Sequence, residues 1–425
     1  MPRFFQRGKH VSDVKLSICI PTYNRADFLT KALTYFVETY EIPYNYEIVI
    51  SDNASPDNTA EVVENFIAKG LPIRYFRCQE NLGIEPNLAS AFRHARGEYN
   101  IYASDDDMLV MDGLIEAISY MDKNPDLVVC YAPWYLHNEQ LSVDHGTFYT
   151  VDNDVKFKHR NFMSVFNFLI DQHVFPEVGI YRSAALRAAW VPRYFAYWAF
   201  SHLAHYLDIG AVAFLKKPFY RAVIVSKIVR DRPQLGNEEV MTAWDRYRGG
   251  LEYFLYVGAK RGAIEQTADS RALYDEAIKQ FTLTRMGVAM RFWAARKDYV
   301  RAYELYTRLL LGGHRNNPEV TQISRSIHLM AAVQTLSWLV NASAEVNRLV
   351  LYGVADHASL ESLLREVGLR SDVAVISYEP DQAPDVIERS AVFLNDAADR
   401  DVFVARGFPP NLILSDADIT RAILP

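Results

Sequence analysis

Apolar residues cluster in short runs along the first 135 residues, each run followed by a longer stretch with helical spacing. Leu16-Ser-Ile-Cys-Ile20, Tyr46-Glu-Ile-Val-Ile50, Pro72-Ile-Arg-Tyr-Phe76, Glu98 to Ala103 and Leu127-Val-Val-Cys-Tyr131 read as strands. Ala26 to Thr39, Thr59 to Lys69, Leu88 to Arg96 and Gly113 to Asn124 carry apolar residues at helical spacing between them. Strands alternating with helices of this length predict a mostly parallel sheet with right-handed crossovers. From about 132 to 235 the pattern is irregular and aromatic-rich. From about 238 to 345 it is helical, with few Gly or Pro. Alternation returns at Arg348-Leu-Val-Leu-Tyr-Gly353, a helix from Ser359 to Val367, Asp372-Val-Ala-Val-Ile376 and Ala391-Val-Phe-Leu394. The expected organisation is an α/β Rossmann-like domain over 1–235, a helical region over 236–345 and a small Rossmann-like α/β domain over 346–425. Tyr352-Gly353 ends a strand, but Val354, Ala355 and Asp356 follow, so the phosphate-binding glycines are missing and no dinucleotide site is expected. This last unit reads as a module for assembly or partner binding.

Composition narrows the class. The chain has 425 residues, half of them hydrophobic, and a formal net charge of −7. That is too long for one typical core and too acidic for general nucleic-acid binding. Cys19, Cys78 and Cys130 lie far apart in apolar surroundings and read as buried thiols in a reducing compartment. No run reaches the length of a membrane span; Tyr194 to Leu215 comes nearest and is broken by His202, His205 and Asp208. The expected location is cytoplasmic. The basic, aromatic start of the chain, Met1 to Lys9, is compatible with contact at the inner face of a membrane.

The candidate chemistry lies at strand ends. Asp105, Asp106 and Asp107 follow the fourth strand. Three adjacent carboxylates repel one another unless a cation joins them, and hard divalent cations favour carboxylate oxygens. A helix start is the competing explanation, since Asp is also favoured there. Pro21-Thr-Tyr-Asn-Arg25 follows the first strand, Asp52-Asn53 the second and Asn81-Leu-Gly83 the third. In a parallel sheet all four loops share the carboxyl edge, where open α/β sheets bind ligands. An acidic group there can accept a base N–H while the carboxylate cluster holds a metal bound to phosphate.

With these residues in place the chain resembles family 2 glycosyltransferases of the GT-A fold. The resemblance rests on Leu16 to Arg25, Ile48 to Ser55, Glu80 to Gly83, and Gly97-Glu98 through Leu109. Its flavour is that of bacterial O-antigen and surface-polysaccharide transferases of the abequosyltransferase-like kind. The resemblance implies an inverting, metal-dependent transfer from a nucleotide-diphosphate sugar of UDP, dTDP or CDP type to a saccharide or lipid-linked saccharide acceptor. Pro21, Thr22, Tyr23 and Arg25 would border the nucleotide, Asp52 and Asn53 the base, and Asn81 and Gly83 the ribose and sugar. Asp105, Asp106 and Asp107 would act as the DxD motif, holding Mg²⁺ or Mn²⁺. Asp105 and Asp107 match D-x-D spacing, whereas an Asp-x-Asp-Asp form would put Ser104 first and make Asp106 and Asp107 dominant.

The family usually carries its catalytic base about 90 residues later, often in a Glu-Asp pair. This chain has Ser201-His-Leu-Ala-His-Tyr-Leu-Asp208 there instead. His202 takes the approximate position, with Asp208, Asp171 and Glu177 as alternatives; a histidine packed inside a helix is the competing explanation. The absent Glu-Asp pair also motivates a rival function, a catalytically silent scaffold of a polysaccharide assembly complex. Lys227, Arg230 and Arg232 could close over a diphosphate or form a solvated loop. Tyr194, Phe195, Tyr197, Trp198 and Phe200 could stack on an acceptor or pack in a core. No nucleic-acid partner is expected, and a homo-oligomer is compatible with the chain.

Overall fold

The computed structural model describes residues 13–190, 196–229, 240–380 and 384–423. Met1 to Lys9, Tyr194, Phe195, Arg230 and Arg232, named above, lie outside the described residues. The chain divides into two compact units, 1–234 with 245–281, and 235–244 with 282–425.

The first unit is built on a mixed, mostly parallel sheet. Its early elements are β1 (Leu16–Thr22), α1 (Ala26–Glu38), β2 (Tyr46–Asp52), α2 (Thr59–Ala68), β3 (Ile73–Arg77), α3 (Ile84–His94) and β4 (Tyr99–Tyr102). β5 (Met108–Leu109), α4 (Met111–Lys123), β6 (Leu127–Tyr131), β7 (Tyr135–Asn138), β8 (Val143–Thr147) and β9 (Val155–Phe157) follow. Then come α5 (Phe162–Asp171), β10 (Gly179–Arg182), α6 (Ser183–Ala189), α7 (Trp198–Ile209), β11 (Ala211–Phe214) and β12 (Tyr220–Val225). Among the described residues the main sheet runs β3-β2-β1-β4-β10-β6-β11-β9. β1 pairs parallel with β2 and β4, and β2 with β3. The central strands are apolar on both faces, as a doubly covered parallel sheet requires: Ile18, Cys19, Ile48 and Ile50 are buried.

The structure departs from the sequence pattern in three places. α3 begins at Ile84 rather than Leu88. Gly83 precedes it at φ 88°, and Pro86 falls in the first turn, where a missing N–H costs no helical bond. β10 enters the sheet antiparallel, between β4 and β6. A Cβ at Gly179, its first residue, would lie 3.1 Å from the Tyr131 ring, so the close strand approach there favours glycine. A second sheet, β5-β12-β7-β8, stands beside the Asp cluster. Its two-residue strand β5 is too short to carry a readable period.

Gly97 has a packing reason as well. A Cβ there would meet Ser17 N at 2.7 Å, and its N–H donates to Ser17 Oγ at 2.8 Å. Ser17 Oγ in turn donates to the buried Glu47 at 2.6 Å, which locks β1, β2 and the entry to β4 together.

The second unit ends in a parallel sheet of order β14-β13-β15-β16, with β13 (Arg348–Tyr352), β14 (Ala374–Ser377), β15 (Ser390–Leu394) and β16 (Ile413–Ser415). The preceding helix Ile327–Asn341 belongs to the same hydrophobic core: Val333, Leu336 and Val340 pack with Val346, Leu349, Leu351 and Leu364. Among the described residues no helix is long and apolar enough to cross a membrane.

Candidate active site

Parallel pairing of β1, β2, β3 and β4 puts the four loops singled out above at one sheet edge. Thr22, the last residue of β1, is buried and donates its hydroxyl to Asp105 Oδ2 at 2.7 Å. Its carbonyl accepts the Asn53 N–H at 3.0 Å and the Asn87 side-chain amide at 3.2 Å. Asn24 takes the left-handed conformation at φ 54°, tolerated by a short polar side chain, and its N–H reaches Ser55 Oγ at 2.9 Å. That turn sends Arg25 back over the edge. Its Nε lies 3.1 Å from Asp105 Oδ1 and its terminal nitrogen pairs with Asp106 Oδ2.

The three adjacent carboxylates do not converge. Asp105 and Asp106 share Arg25, and Asp106 also accepts from Ser104 Oγ. Asp107 turns towards the second sheet, where Tyr220 Oη donates to Oδ2 at 2.9 Å and the Val223 N–H to Oδ1 at 2.8 Å. Burial pushes the Asp107 carboxyl up to about 6; the two donors oppose this, and the Asp105 charge adds to it. Among the described residues no group of three or more His, Cys, Asp or Glu side chains is arranged to hold a metal ion. A guanidinium bridges two of the three carboxylates expected to serve as the DxD motif. Asp107 is the partly exposed member. Its two oxygens carry about four acceptor sites, of which two are used here.

The loops after β2 and β3 form one unit. Asn53 Nδ2 donates to Asn81 Oδ1 at 2.7 Å and to the Gly83 carbonyl at 3.1 Å, while its Oδ1 accepts the Leu82 N–H at 2.9 Å. Asp52 is fully buried. Its Oδ1 accepts the Ser55 N–H at 2.8 Å and its Oδ2 the Tyr75 hydroxyl, with Arg77 Nε 3.8 Å away. Pro21 is partly exposed and Tyr23 is 41% exposed, so both are open to a ligand.

The residues expected as catalytic base are scattered over the first unit. His202 is 1% exposed and stacks on the Trp190 ring at 4.1 Å, with Trp198 tilted against it at 5.9 Å. It is packed here as a core histidine. Tyr197 and Phe200 are likewise core aromatics, fully buried. Asp208 lies at the end of α7, just before β11, and β11 runs parallel to β6. β10 is antiparallel to both β4 and β6, so β4, β6 and β11 run the same way. Asp208 thus sits at the amino edge, opposite Asp105–Asp107, paired with Arg160 and Arg261 at 2.8 and 2.7 Å. Asp171 closes α5 and is exposed. Glu177, two residues before the antiparallel β10, is the one of these carboxylates that the topology brings to the carboxyl edge. Sequence reasoning missed Tyr220, Val223 and Tyr75, whose roles depend on strand pairing and leave no local signal.

Residues 17–180 match the family model described as "Glycosyl transferase family 2". The abequosyltransferase of Salmonella typhimurium is 35% identical over 116 residues, 27% of this chain and 35% of that protein. An uncharacterized glycosyltransferase of Bacillus subtilis is 31% identical over 121 residues, 28% of this chain and 30% of that protein. The chain thus spans about a third of the length of these curated relatives. Among solved structures, S. aureus TarS 1–349 in complex with UDP-GlcNAc aligns over 76% of this chain and 85% of its own, with TM-score 0.47 and 15% identity. A mannosyltransferase from Pyrobaculum calidifontis in complex with GDP-Man and Mn²⁺ aligns over 77% and 90%, with TM-score 0.42 and 17% identity. With the family match lying on the strands and loops that build this edge, the chain carries a glycosyl transferase family 2 domain over residues 17–180.

Proposed function

We propose that this chain is an inverting, metal-dependent glycosyltransferase. It moves a sugar from a nucleoside-diphosphate sugar to a saccharide or lipid-linked saccharide acceptor in surface-polysaccharide synthesis. The observation that carries this reading is the joining of the β1 and β4 loops, Thr22 and Arg25 to Asp105 and Asp106, inside the family-matched domain. The likeness to an abequosyltransferase supports the surface-polysaccharide setting.

Pro21, Thr22 and Tyr23 line the nucleoside side. Asn53 holds Asn81 and Gly83 as the rim facing ribose and sugar. A base N–H reaches Asp52 Oδ2 by displacing the Tyr75 hydroxyl that now occupies it. Asp107 is the carboxylate that fits a hard divalent cation, which takes one or two carboxylates together with phosphate oxygens. Mg²⁺ or Mn²⁺ held there would neutralise charge on the diphosphate leaving group. Arg25 pairs with Asp105 and Asp106 and holds them in place. Glu177 takes the proton of the acceptor hydroxyl as its oxygen attacks the anomeric carbon and the nucleoside diphosphate departs with the bonding pair.

The second reading, a catalytically silent scaffold, draws on the aromatic burial of His202 and the engagement of two of the three carboxylates by Arg25. A panel of UDP-, dTDP-, CDP- and GDP-sugars incubated with the full chain and Mn²⁺ separates the two. Release of nucleoside diphosphate from at least one donor is expected. Binding of nucleotides with no turnover across the panel, acceptors included, would favour the scaffold.

A further inference from the structure

Glu139 carries no motif, yet it is a buried carboxylate beside the donor edge, 4% exposed. Burying a charge is costly unless a partner compensates it. Lys31, from α1, supplies the partner. The same ammonium lies 3.5 Å from the backbone carbonyl of Asp106. The second Glu139 oxygen accepts the Lys227 N–H at 3.1 Å, and the Glu139 N–H donates to the Val225 carbonyl at 2.9 Å. Gln140 adds a bond to the Ser226 carbonyl at 3.2 Å.

One ion pair therefore ties together three segments. The first is α1, which begins immediately after Arg25. The second is the loop holding Asp105–Asp107. The third is the chain leaving β12, the strand whose Tyr220 and Val223 hold Asp107. Lys227 is exposed at the start of that third segment.

We propose that Glu139 is a positioning residue for the donor site. It fixes Lys31 against the carboxylate loop and sets the backbone of Lys227, so that Asp107 and the Lys227 ammonium address one diphosphate together. This rests on the donor-site reading above. Glu139 itself does not touch the donor.

Because a buried ion pair replaced by apolar residues of similar volume often leaves stability unchanged or higher, stability and positioning are separable here. The test uses the full chain, wild type against Glu139→Gln and the double variant Lys31→Met with Glu139→Leu. Affinity for UDP, dTDP, CDP and GDP is titrated with excess Mn²⁺, beside thermal midpoints and donor kinetics. For the nucleotide the wild type binds, both variants should weaken Kd about tenfold and raise donor KM more than they lower kcat, the double variant at a near wild-type midpoint and Glu139→Gln at a lower one because Lys31 loses its partner. Affinity within about twofold of wild type in both variants would overturn the positioning role and leave the donor site standing. A wild type that binds none of the four nucleotides would remove the donor-site reading itself.

Discussion

Thr22 Oγ1 donates a 2.7 Å hydrogen bond to Asp105 Oδ2, joining the end of the first strand to the loop after the fourth. Both groups are buried, so neither exchanges its partner for water at no cost. The bond exists because β1 and β4 are parallel neighbours, in register from Leu16 with Tyr99 to Cys19 with Tyr102. Arg25 completes the junction by pairing with Asp105 and Asp106. Two distant loops of the proposed donor site are thereby joined through buried side chains.

Arg25 compensates two nearly buried carboxylates. Arg25→Met removes the compensation and leaves Asp105 and Asp106 repelling each other. Breaking one side of such a pair costs about 3 kcal/mol. Urea denaturation should show a loss of that order, and millimolar Mn²⁺ should recover part of it. A stability equal to wild type without metal would mean the cluster tolerates its own charge.

The base assignment separates cleanly by mutation. His202→Phe preserves a flat ring against Trp190, so folding and transfer should stay within a fewfold of wild type. Glu177→Gln should lower transfer about 100- to 10,000-fold while nucleotide affinity survives, the usual range for losing a general base. Strong loss in His202→Phe with an intact fold, beside an active Glu177→Gln, would return the role to the histidine.

The C-terminal sheet should depend on the helix before it. Val333, Leu336 and Val340 fill the core that Val346, Leu349 and Leu364 also line. A fragment starting at residue 346 loses that surface and should lack a cooperative melt. One starting at Ser326 should regain it, as read by circular dichroism. Equal cooperative melting of both fragments would show that the helix is dispensable. A cut near Asn341, attractive from the sequence because alternation resumes just beyond it, divides one hydrophobic core.

The parts legible in the sequence are those governed by local pattern. Apolar runs from Leu16, Tyr46 and Leu127 form strands because a doubly covered sheet buries both faces, and the run from Pro72 forms the partly exposed edge strand β3. The loops at Pro21, Asp52, Asn81 and Asp105 follow from parallel topology. Illegible were the relationships made by pairing at a distance. Nothing local says that β10 inserts antiparallel between β4 and β6, yet that insertion brings Glu177 to the carboxyl edge. Nothing local says that Tyr220 and Val223 turn Asp107 away from Asp105, or that Lys31 neutralises Glu139. His202 read as a candidate base because position along the chain was matched, whereas its helix buries that face under Trp190.

The central claim is that Asp107 carries the cation through which a nucleoside diphosphate is held. Isothermal titration of UDP, dTDP, CDP and GDP into wild type and Asp107→Ala, each with Mn²⁺ and with excess chelator, tests it most directly. The wild type should bind at least one nucleotide with metal and weaken at least tenfold with chelator, while Asp107→Ala should bind equally weakly in both conditions. Equal affinity of wild type with metal and with chelator, or full metal-dependent affinity in Asp107→Ala, would contradict it.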